Sequence, residues 1–143
     1  MTDSETVPIP VPQELSRRAA RRLIQRAVVL VGRDRHVRQN IREARLSMAW
    51  VLEDWQFEWT VHLDRGKLEF DRRPVKHPNL TLTWREAAAF FAGATTGREN
   101  RDDYSIEGDR DLRRYGELVW KSLRVELGKV LRFPFDDDGV RLA

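Results

Sequence analysis

Cysteine is absent from the 143 residues of the chain. Its absence excludes disulfide bonds, thiolate nucleophiles and cysteine-ligated zinc sites, and it is consistent with a reducing compartment. Long apolar runs are also absent: runs such as residues 27–31 are far shorter than the ~20 residues that a membrane span needs. The acidic N-terminus shows no small-residue cleavage site after an apolar stretch, so no secretory signal is expected. These absences predict a cytoplasmic protein, with a peripheral position at the inner membrane surface as an alternative.

Acidic residues are scarce in one segment of the chain. Residues 15–46 contain ten arginines and two acidic residues, a net charge of +8, whereas the remainder carries −5. Such a segment can contact an anionic membrane, nucleic acid or an acidic partner. A solvated helix face, or a lid over the acidic remainder, explains the charge equally well. The candidate membrane or partner surface comprises Arg17, Arg18, Arg21 and Arg22.

Helices are predicted in the N-terminal third. After a flexible lead-in over residues 1–11, apolar residues recur at three- and four-residue spacing from Leu15 to Val31, which is typical of an amphipathic helix. Gly32 is expected to end this helix, and Asp34 to cap a second, shorter one. Residues 12–45 are therefore interpreted as a basic helical segment.

The hydrophobic period then changes to two. Apolar and polar residues alternate over residues 46–52 and 56–63, which predicts two antiparallel strands with one buried face each. A hairpin with a bulged loop at Gly66 is expected to lead into a third strand. A fourth strand is predicted at residues 80–84, and a short fifth strand at residues 104–106.

Two further helices complete the predicted order. Thr83 and Glu86 have the spacing of a capping box, which predicts a helix over residues 87–92 that ends at Gly93. Asp109 is expected to cap a long final helix. This succession of helices, meandering strands, a helix, a strand and a helix indicates the α+β class.

No catalytic constellation is visible in the sequence. His36, His62 and His77 have no spacing that places two of them on one helix face with a carboxylate, and we interpret all three as surface residues. The acidic run at residues 136–138 lacks the twelve-residue ligand spacing of a calcium loop and is interpreted as a solvated turn. We therefore expect no enzyme activity, no metal site and no cofactor.

Apolar side chains are in excess in the C-terminal half. Phe90 and Phe91 are adjacent, so a helix cannot bury both against the same neighbour. The final helix also has more apolar residues than one buried stripe needs. The excess fits a ligand pocket, which is concave and mostly apolar. An ordinary core with a dimer contact explains it too.

The order of short motifs resembles the sterol carrier protein 2 family over residues 46–127. Each motif is weak alone, but the ordered set with matching strand–helix succession is more specific. The motifs are Trp59-x-Val61-x-Leu63-x-x-Gly66, Leu80-Thr81-Leu82-Thr83, Phe90-Phe91-Ala92-Gly93 and Ile106-Glu107-Gly108-Asp109.

The resemblance implies a five-stranded, mostly antiparallel sheet packed by helices around an apolar tunnel for lipids, sterols or acyl chains. It assigns residues 46–127 to a lipid-binding domain and leaves residues 128–143 as an apolar and acidic tail. The candidate lipid-binding residues are Phe57, Trp59, Val61, Leu82, Phe90, Phe91, Val119, Trp120, Leu123 and Leu127.

Two departures from the family pattern affect the expected ligand. The predicted polar loop at residues 94–103 is charged in both signs in place of a lysine-rich turn, and no peroxisomal Ser-Lys-Leu signal ends the chain. The chain has 22 arginines against 4 lysines, which suggests a GC-rich bacterial genome and argues against true sterols.

The favoured function is a non-catalytic lipid-binding or lipid-transfer protein whose partner is a hydrophobic small molecule. An accessory factor that holds quinone-biosynthesis intermediates for partner enzymes is the alternative within the same class. Binding of nucleic acid or an acidic partner through the arginine-rich helix is an alternative from another class, although few aromatic residues accompany those arginines. A further hypothesis is that the protein is a scaffolding subunit whose excess apolar residues form an interface.

Overall fold

The computed structural model describes residues 15–96 and 103–142, which form four α-helices, one short 3-10 helix (Glu53–Trp55) and five strands. The predicted lead-in and residues 97–102 of the predicted polar loop lie outside the described residues. The helices are α1 (Arg17–Arg33), α2 (Arg35–Asn40), α3 (Ala87–Thr96) and α4 (Arg113–Arg132). The strands are β1 (Arg45–Leu52), β2 (Phe57–Asp64), β3 (Lys67–Asp71), β4 (Leu80–Trp84) and β5 (Tyr104–Gly108).

The strands form one mixed sheet in the order β3-β2-β1-β4-β5. Three neighbouring pairs are antiparallel, and the β1–β4 pair is parallel because the chain crosses from the edge strand β3 to the far side of β1. The predicted α+β class and the mostly antiparallel five-stranded sheet are confirmed.

The predicted alternation of buried and exposed residues is present in the central strands except at the paired residues Ala49 and Thr60, which are buried although they point to the other face of the sheet. In β1, Leu46, Met48, Trp50 and Leu52 are buried, whereas Ser47 is half-buried. The same alternation in β2 and β4 directs their large apolar side chains to the face that the helices cover. The core therefore lies between one face of the sheet and the helix layer.

Helix α1 begins one residue after Ser16, whose Oγ accepts the Ala19 N–H at 3.0 Å. The prediction that Gly32 ends this helix is wrong, because α1 continues through it to Arg33. Gly32 faces Leu68 of β3, and a Cβ there would lie 3.4 Å from the Leu68 carbonyl oxygen. The glycine therefore fits a close helix–strand contact and is not a helix stop.

The β2–β3 hairpin also differs from the prediction. Asp64 and Lys67 are paired, so the loop contains only Arg65 and Gly66, with φ angles of 51° and 93°. Two consecutive positive φ angles are the mark of a type I′ turn, which matches the twist of the flanking strands. The expected bulged loop is therefore a tight two-residue turn.

The predicted capping box before α3 is wrong, because Thr83 lies inside β4. The Ala87 N–H is instead donated to Asp54 Oδ1 at 2.9 Å, a contact across 33 residues. Helix α3 also continues beyond Gly93 to Thr96, since Ala94 is buried.

Helix α4 starts later than predicted. Asp109 Oδ1 accepts the Asp111 N–H at 2.9 Å in a turn, and α4 begins only at Arg113. The helix continues past Leu127 to Arg132, with Val130 buried. Within residues 15–96 and 103–142, no helix has the length and apolar content needed to cross a membrane.

Candidate functional site

A row of aromatic rings crosses the inner face of the sheet. Trp59, Trp50, Trp84 and Tyr104 come from the four adjacent strands β2, β1, β4 and β5. Their successive ring centroids are 6.0, 5.7 and 5.0 Å apart, with interplanar angles of 17°, 13° and 14°. Direct pairing explains part of this order, because Trp50 lies opposite Trp59 and Trp84 opposite Tyr104.

Two rings from the helices close over this row. The Phe90 ring of α3 stacks on the Trp120 ring of α4 with centroids 5.2 Å apart. Both rings also meet Trp84 edge-on, at 5.0 Å from Phe90 and 4.7 Å from Trp120. We call the four sheet rings and these two helix rings the aromatic interior.

All ten predicted lipid-binding residues are buried, with at most 4% of any of them exposed. Trp59, Phe90 and Trp120 belong to the aromatic interior. Phe91, by contrast, contacts Trp55 at 5.7 Å near the interior's edge. The remaining six, which belong to the hydrophobic core, are Phe57, Val61, Leu82, Val119, Leu123 and Leu127.

The rings of the aromatic interior contact one another, so a ligand placed among them has to separate them. Trp50, Trp84 and Tyr104 were not among the predicted site residues. The strict alternation of β1 and the register of the first hairpin would have placed Trp50 beside Trp59. Nothing in the pattern placed β4 beside β1, so Trp84 and Tyr104 had no such signal.

Two polar groups in the aromatic interior lack a partner among the described residues. The Nε1 atoms of Trp50 and Trp59 are buried without a hydrogen-bond acceptor. A buried donor without an acceptor costs about 1–3 kcal/mol, so native proteins rarely retain one without reason. A carbonyl, carboxyl or hydroxyl oxygen of a bound molecule could accept from either indole.

The four predicted surface arginines have different environments. The Arg17 guanidinium lies 4.3 Å from the Trp55 ring centroid, and that of Arg21 lies 4.5 Å from the Phe57 ring. Arg21 also donates to the Arg72 carbonyl oxygen at 3.3 Å. Arg17 and Arg21 thus contact rings of the domain, although Arg17, like Arg18 and Arg22, is exposed overall.

Other arginines of α1 bind the C-terminal tail. Asp137 accepts hydrogen bonds from Arg33 and from Arg26, each with a shortest distance of 2.8 Å. These bonds, that from Arg33 first, hold the pKa of Asp137 well below its usual range. Asp136 of the same acidic run instead accepts the N–H groups of Asp138 and Val140.

A serine, a histidine and an aspartate meet at His62. Ser47 Oγ lies 2.8 Å from His62 Nδ1, and His62 Nε2 lies 3.8 Å from Asp71 Oδ2. Hydrogen bonding from the Arg73 N–H lowers the pKa of Asp71. The second contact is too long for the hydrogen bond that orients a catalytic histidine.

The surroundings of Ser47 also lack the features of a nucleophile site. Its N–H is donated to Asn79 Oδ1 at 2.9 Å, so it is not available to stabilise an oxyanion. His36 and His77 are both exposed. Among residues 15–96 and 103–142, no group of three or more histidine or acidic residues could hold a metal ion.

The sequence matches no protein-family model and no curated protein. Among solved structures, it is similar to TT1886 from Thermus thermophilus, a conserved hypothetical protein described as "possibly sterol carrier protein". The TM-score is 0.53 at 11% identity, and the match covers 76% of this chain and 85% of that one. This likeness shows a shared fold, and it confirms the fold that the motif order predicted.

Two further solved structures are similar at lower TM-scores. The ubiquinone synthesis protein UbiJ-SCP2 has a TM-score of 0.46 at 10% identity, over 73% of this chain and 90% of that one. The stereoselective inverting sec-alkylsulfatase Pisa1 from Pseudomonas sp. has a TM-score of 0.45 at 15% identity, over 57% of this chain. The match spans only 13% of the alkylsulfatase.

Proposed function

We propose that the protein is a non-catalytic carrier that holds a hydrophobic ligand, such as an acyl chain or a sterol-like or isoprenoid molecule, between its sheet and α3 and α4. The observation that carries this proposal is the pair of unpartnered indole N–H groups, of Trp50 and Trp59, inside an otherwise apolar interior. The sterol-carrier fold supports it. A ligand with an apolar body and one acceptor oxygen would satisfy both features.

The energetics allow such binding. Burying about ten methylene groups contributes roughly 8 kcal/mol at ~0.8 kcal/mol each. The cost of ordering the ligand and separating the rings reduces this sum. The two indole hydrogen bonds return only about 1 kcal/mol each. A net affinity in the micromolar range, about 8 kcal/mol in free energy, therefore needs a chain with more than ten buried methylene groups.

Quinone-biosynthesis intermediates are the second candidate ligands. Their ring oxygens can accept hydrogen bonds, and their flat rings can stack on the row formed by Trp59, Trp50 and Trp84. Their isoprenoid tails supply the apolar area. In this version, the carrier presents the intermediate to partner enzymes.

The absence of catalysis is part of the proposal. The contact between Ser47 and His62 is the only Ser–His hydrogen bond of the described residues, and the Ser47 N–H is already bonded to Asn79. We interpret this group as a polar cross-strand contact, since Ser47 and His62 are directly paired between β1 and β2.

Loading from a membrane would use the exposed arginines of α1. Arg18 and Arg22 can approach an anionic surface, with about 1 kcal/mol contributed by each basic residue near it. Arg17 and Arg21 already cover aromatic rings, so they would contribute less. Nucleic-acid binding by the same arginines is the competing outcome of the vesicle experiment described in the Discussion.

The experiment compares three matched variants of the full chain. Trp50→Phe and Trp59→Phe each remove an unpartnered indole donor, and Trp55→Phe makes the same change at the edge of the interior. Delipidated protein is titrated with a fluorescent fatty acid, and with a fluorescent hydrocarbon of equal length that has no acceptor.

We expect the fatty acid to bind the wild type with micromolar affinity. The Trp50→Phe or Trp59→Phe change should weaken it roughly fivefold, because a neutral hydrogen bond contributes about 1 kcal/mol. Trp55→Phe, and all hydrocarbon affinities, should stay close to the wild type. Failure of the wild type to bind either probe would refute the carrier function. Equal losses in all three variants would refute the role of the indole donors.

A further inference from the structure

A second concave site lies away from the aromatic interior, between α2 and the β2–β3 turn. It is a shallow depression, open to solvent, with a volume of about 370 Å³. Gln39 and Gly66 form part of its wall. Its other lining residues are all cationic: Arg35, Arg38, Arg42, Arg65 and Lys67.

Backbone hydrogen bonds fix the two sides of this cavity, which we call the basic pocket. The Arg65 N–H is donated to the Ala44 carbonyl oxygen at 2.8 Å, and the Gly66 N–H to that of Ile41 at 3.1 Å. A Cβ at Gly66 would lie 3.7 Å from the Arg38 carbonyl oxygen, so the turn is close against α2. The pocket is therefore part of the folded domain and does not depend on flexible loops.

The turn conformation itself favours glycine or asparagine at both central positions. Arginine at position 65 has a φ of 51°, which an L residue other than Asn or Asp seldom adopts. Strained backbone of this kind is typical of functional sites. Arg65 adds a charge to the pocket at a position where the turn conformation alone would favour glycine or asparagine.

The charges in the basic pocket are not compensated. In the part of the chain that the structure describes, none of its five cations forms an ion pair, whereas Arg26 and Arg33 of α1 both bind Asp137. Asp34 caps α2, and Asp64 lies 3.9 Å from Arg45; neither lines the pocket. A concave surface with one sign of charge concentrates ions of the opposite sign.

We propose that the basic pocket binds a phosphorylated ligand with two or more negative charges, such as a diphosphate or a phosphorylated headgroup. Guanidinium groups match phosphate oxygens in paired hydrogen bonds, and four of the five cations are arginines. The cavity volume exceeds the size of a single phosphate. This site is independent of the carrier function, because it shares no residue with the aromatic interior.

In the experiment, the full chain is titrated with pyrophosphate at constant ionic strength, and calorimetry measures the affinity. Arg38→Gln/Arg42→Gln removes two pocket charges four residues apart. The control Arg18→Gln/Arg22→Gln removes two exposed charges at the same spacing on α1. Circular dichroism and thermal unfolding verify that both variants are folded.

We expect the pocket variant to lose at least about tenfold in pyrophosphate affinity, since charged hydrogen bonds are strong, and the control to stay near the wild type. Vesicles of phosphatidylcholine with phosphatidic acid, whose headgroup is a phosphate monoester, identify the source of the phosphate. Vesicle binding that pyrophosphate competes away indicates a lipid headgroup, whereas pyrophosphate binding without vesicle binding indicates a soluble ligand.

Three results would overturn the proposal. The first is that pyrophosphate does not bind the wild type. The second is an equal loss in the pocket variant and the control, which would reflect net charge alone. The third is binding of a random DNA duplex that pyrophosphate does not displace, which would assign the charges to nucleic acid.

Discussion

Replacing Gly128 with alanine tests how closely α3 and α4 approach each other over the aromatic interior. A Cβ at position 128 would lie 2.5 Å from the Ala94 carbonyl oxygen of α3, a backbone atom that cannot rotate away. Gly116 of the same helix is the matched control. There, a Cβ would lie 3.3 Å from Leu80 Cδ1, the end of a flexible side chain.

The two substitutions share one contribution and differ in the other. Alanine stabilises a helix interior by roughly 1 kcal/mol relative to glycine at either position. Crowding against a fixed backbone oxygen costs about 1–3 kcal/mol, which applies only at Gly128. We therefore expect the free energy of unfolding of Gly128→Ala to lie about 1–3 kcal/mol below that of Gly116→Ala.

Urea unfolding monitored by tryptophan fluorescence measures this difference directly. In thermal unfolding, each ~1 kcal/mol should change Tm by roughly 2–5 °C for a chain of this size. The reasoning is wrong if Gly128→Ala unfolds at the same urea concentration as Gly116→Ala or at a higher one. That result would mean that the Ala94 carbonyl oxygen of α3 lies farther from position 128 of α4 than the structure places it.

Three further predictions concern charged and polar groups. Asp137→Asn should lower the urea midpoint of unfolding at neutral pH. Because the pKa of Asp137 is lowered in the folded state, the difference in stability between the wild type and this variant should be complete above about pH 4 and should disappear as the pH falls further, which a series of unfolding curves at different pH values measures. If α1 docks on membranes, Arg18→Glu/Arg22→Glu should abolish cosedimentation with anionic vesicles. Vesicle binding that persists in this variant would contradict docking through α1. So would binding of duplex DNA by the wild type that the variant has lost. His62→Gln should leave fatty-acid affinity unchanged in the titration above, and a folded variant that no longer binds would show that His62 takes part in the site.

The elements that the sequence predicted well are those with local signals. Alternation placed the buried face of β1 and β2, and their hairpin register follows from the short link between them. Asp34 was correctly predicted as the cap of α2, because its carboxylate accepts the Val37 N–H three residues ahead. In each case, the atoms that decide the structure lie within a few residues of one another.

The elements that were predicted wrongly depend on distant partners. The start of α3 is set by Asp54, which lies 33 residues earlier, and α3 continues past Gly93 because Ala94 is buried and faces Gly128 of α4. Helix propensities predict that the helix ends at Gly93, because they contain no information on the helix packed beside it.

The candidate site shows the same division. The ten predicted residues are all in the core, but their order in space depends on β4 lying parallel to β1, which the sequence pattern does not encode. That placement brings Trp84 beside Trp50 and extends the row to Tyr104. The cation–π contacts of Arg17 and Arg21 were missed for the same reason, because their rings come from elsewhere in the fold.

Native mass spectrometry tests the central claim, that the interior between the sheet and α3 and α4 holds one hydrophobic ligand. The full chain is purified from cells without detergent and measured directly, then measured again after delipidation and incubation with a mixture of fatty acids and isoprenoid quinones. We predict one bound molecule per chain in both samples, with the bound species an apolar molecule that carries an acceptor oxygen, and weaker retention in Trp50→Phe than in Trp55→Phe. A folded chain that shows only its bare mass in both samples would contradict the account.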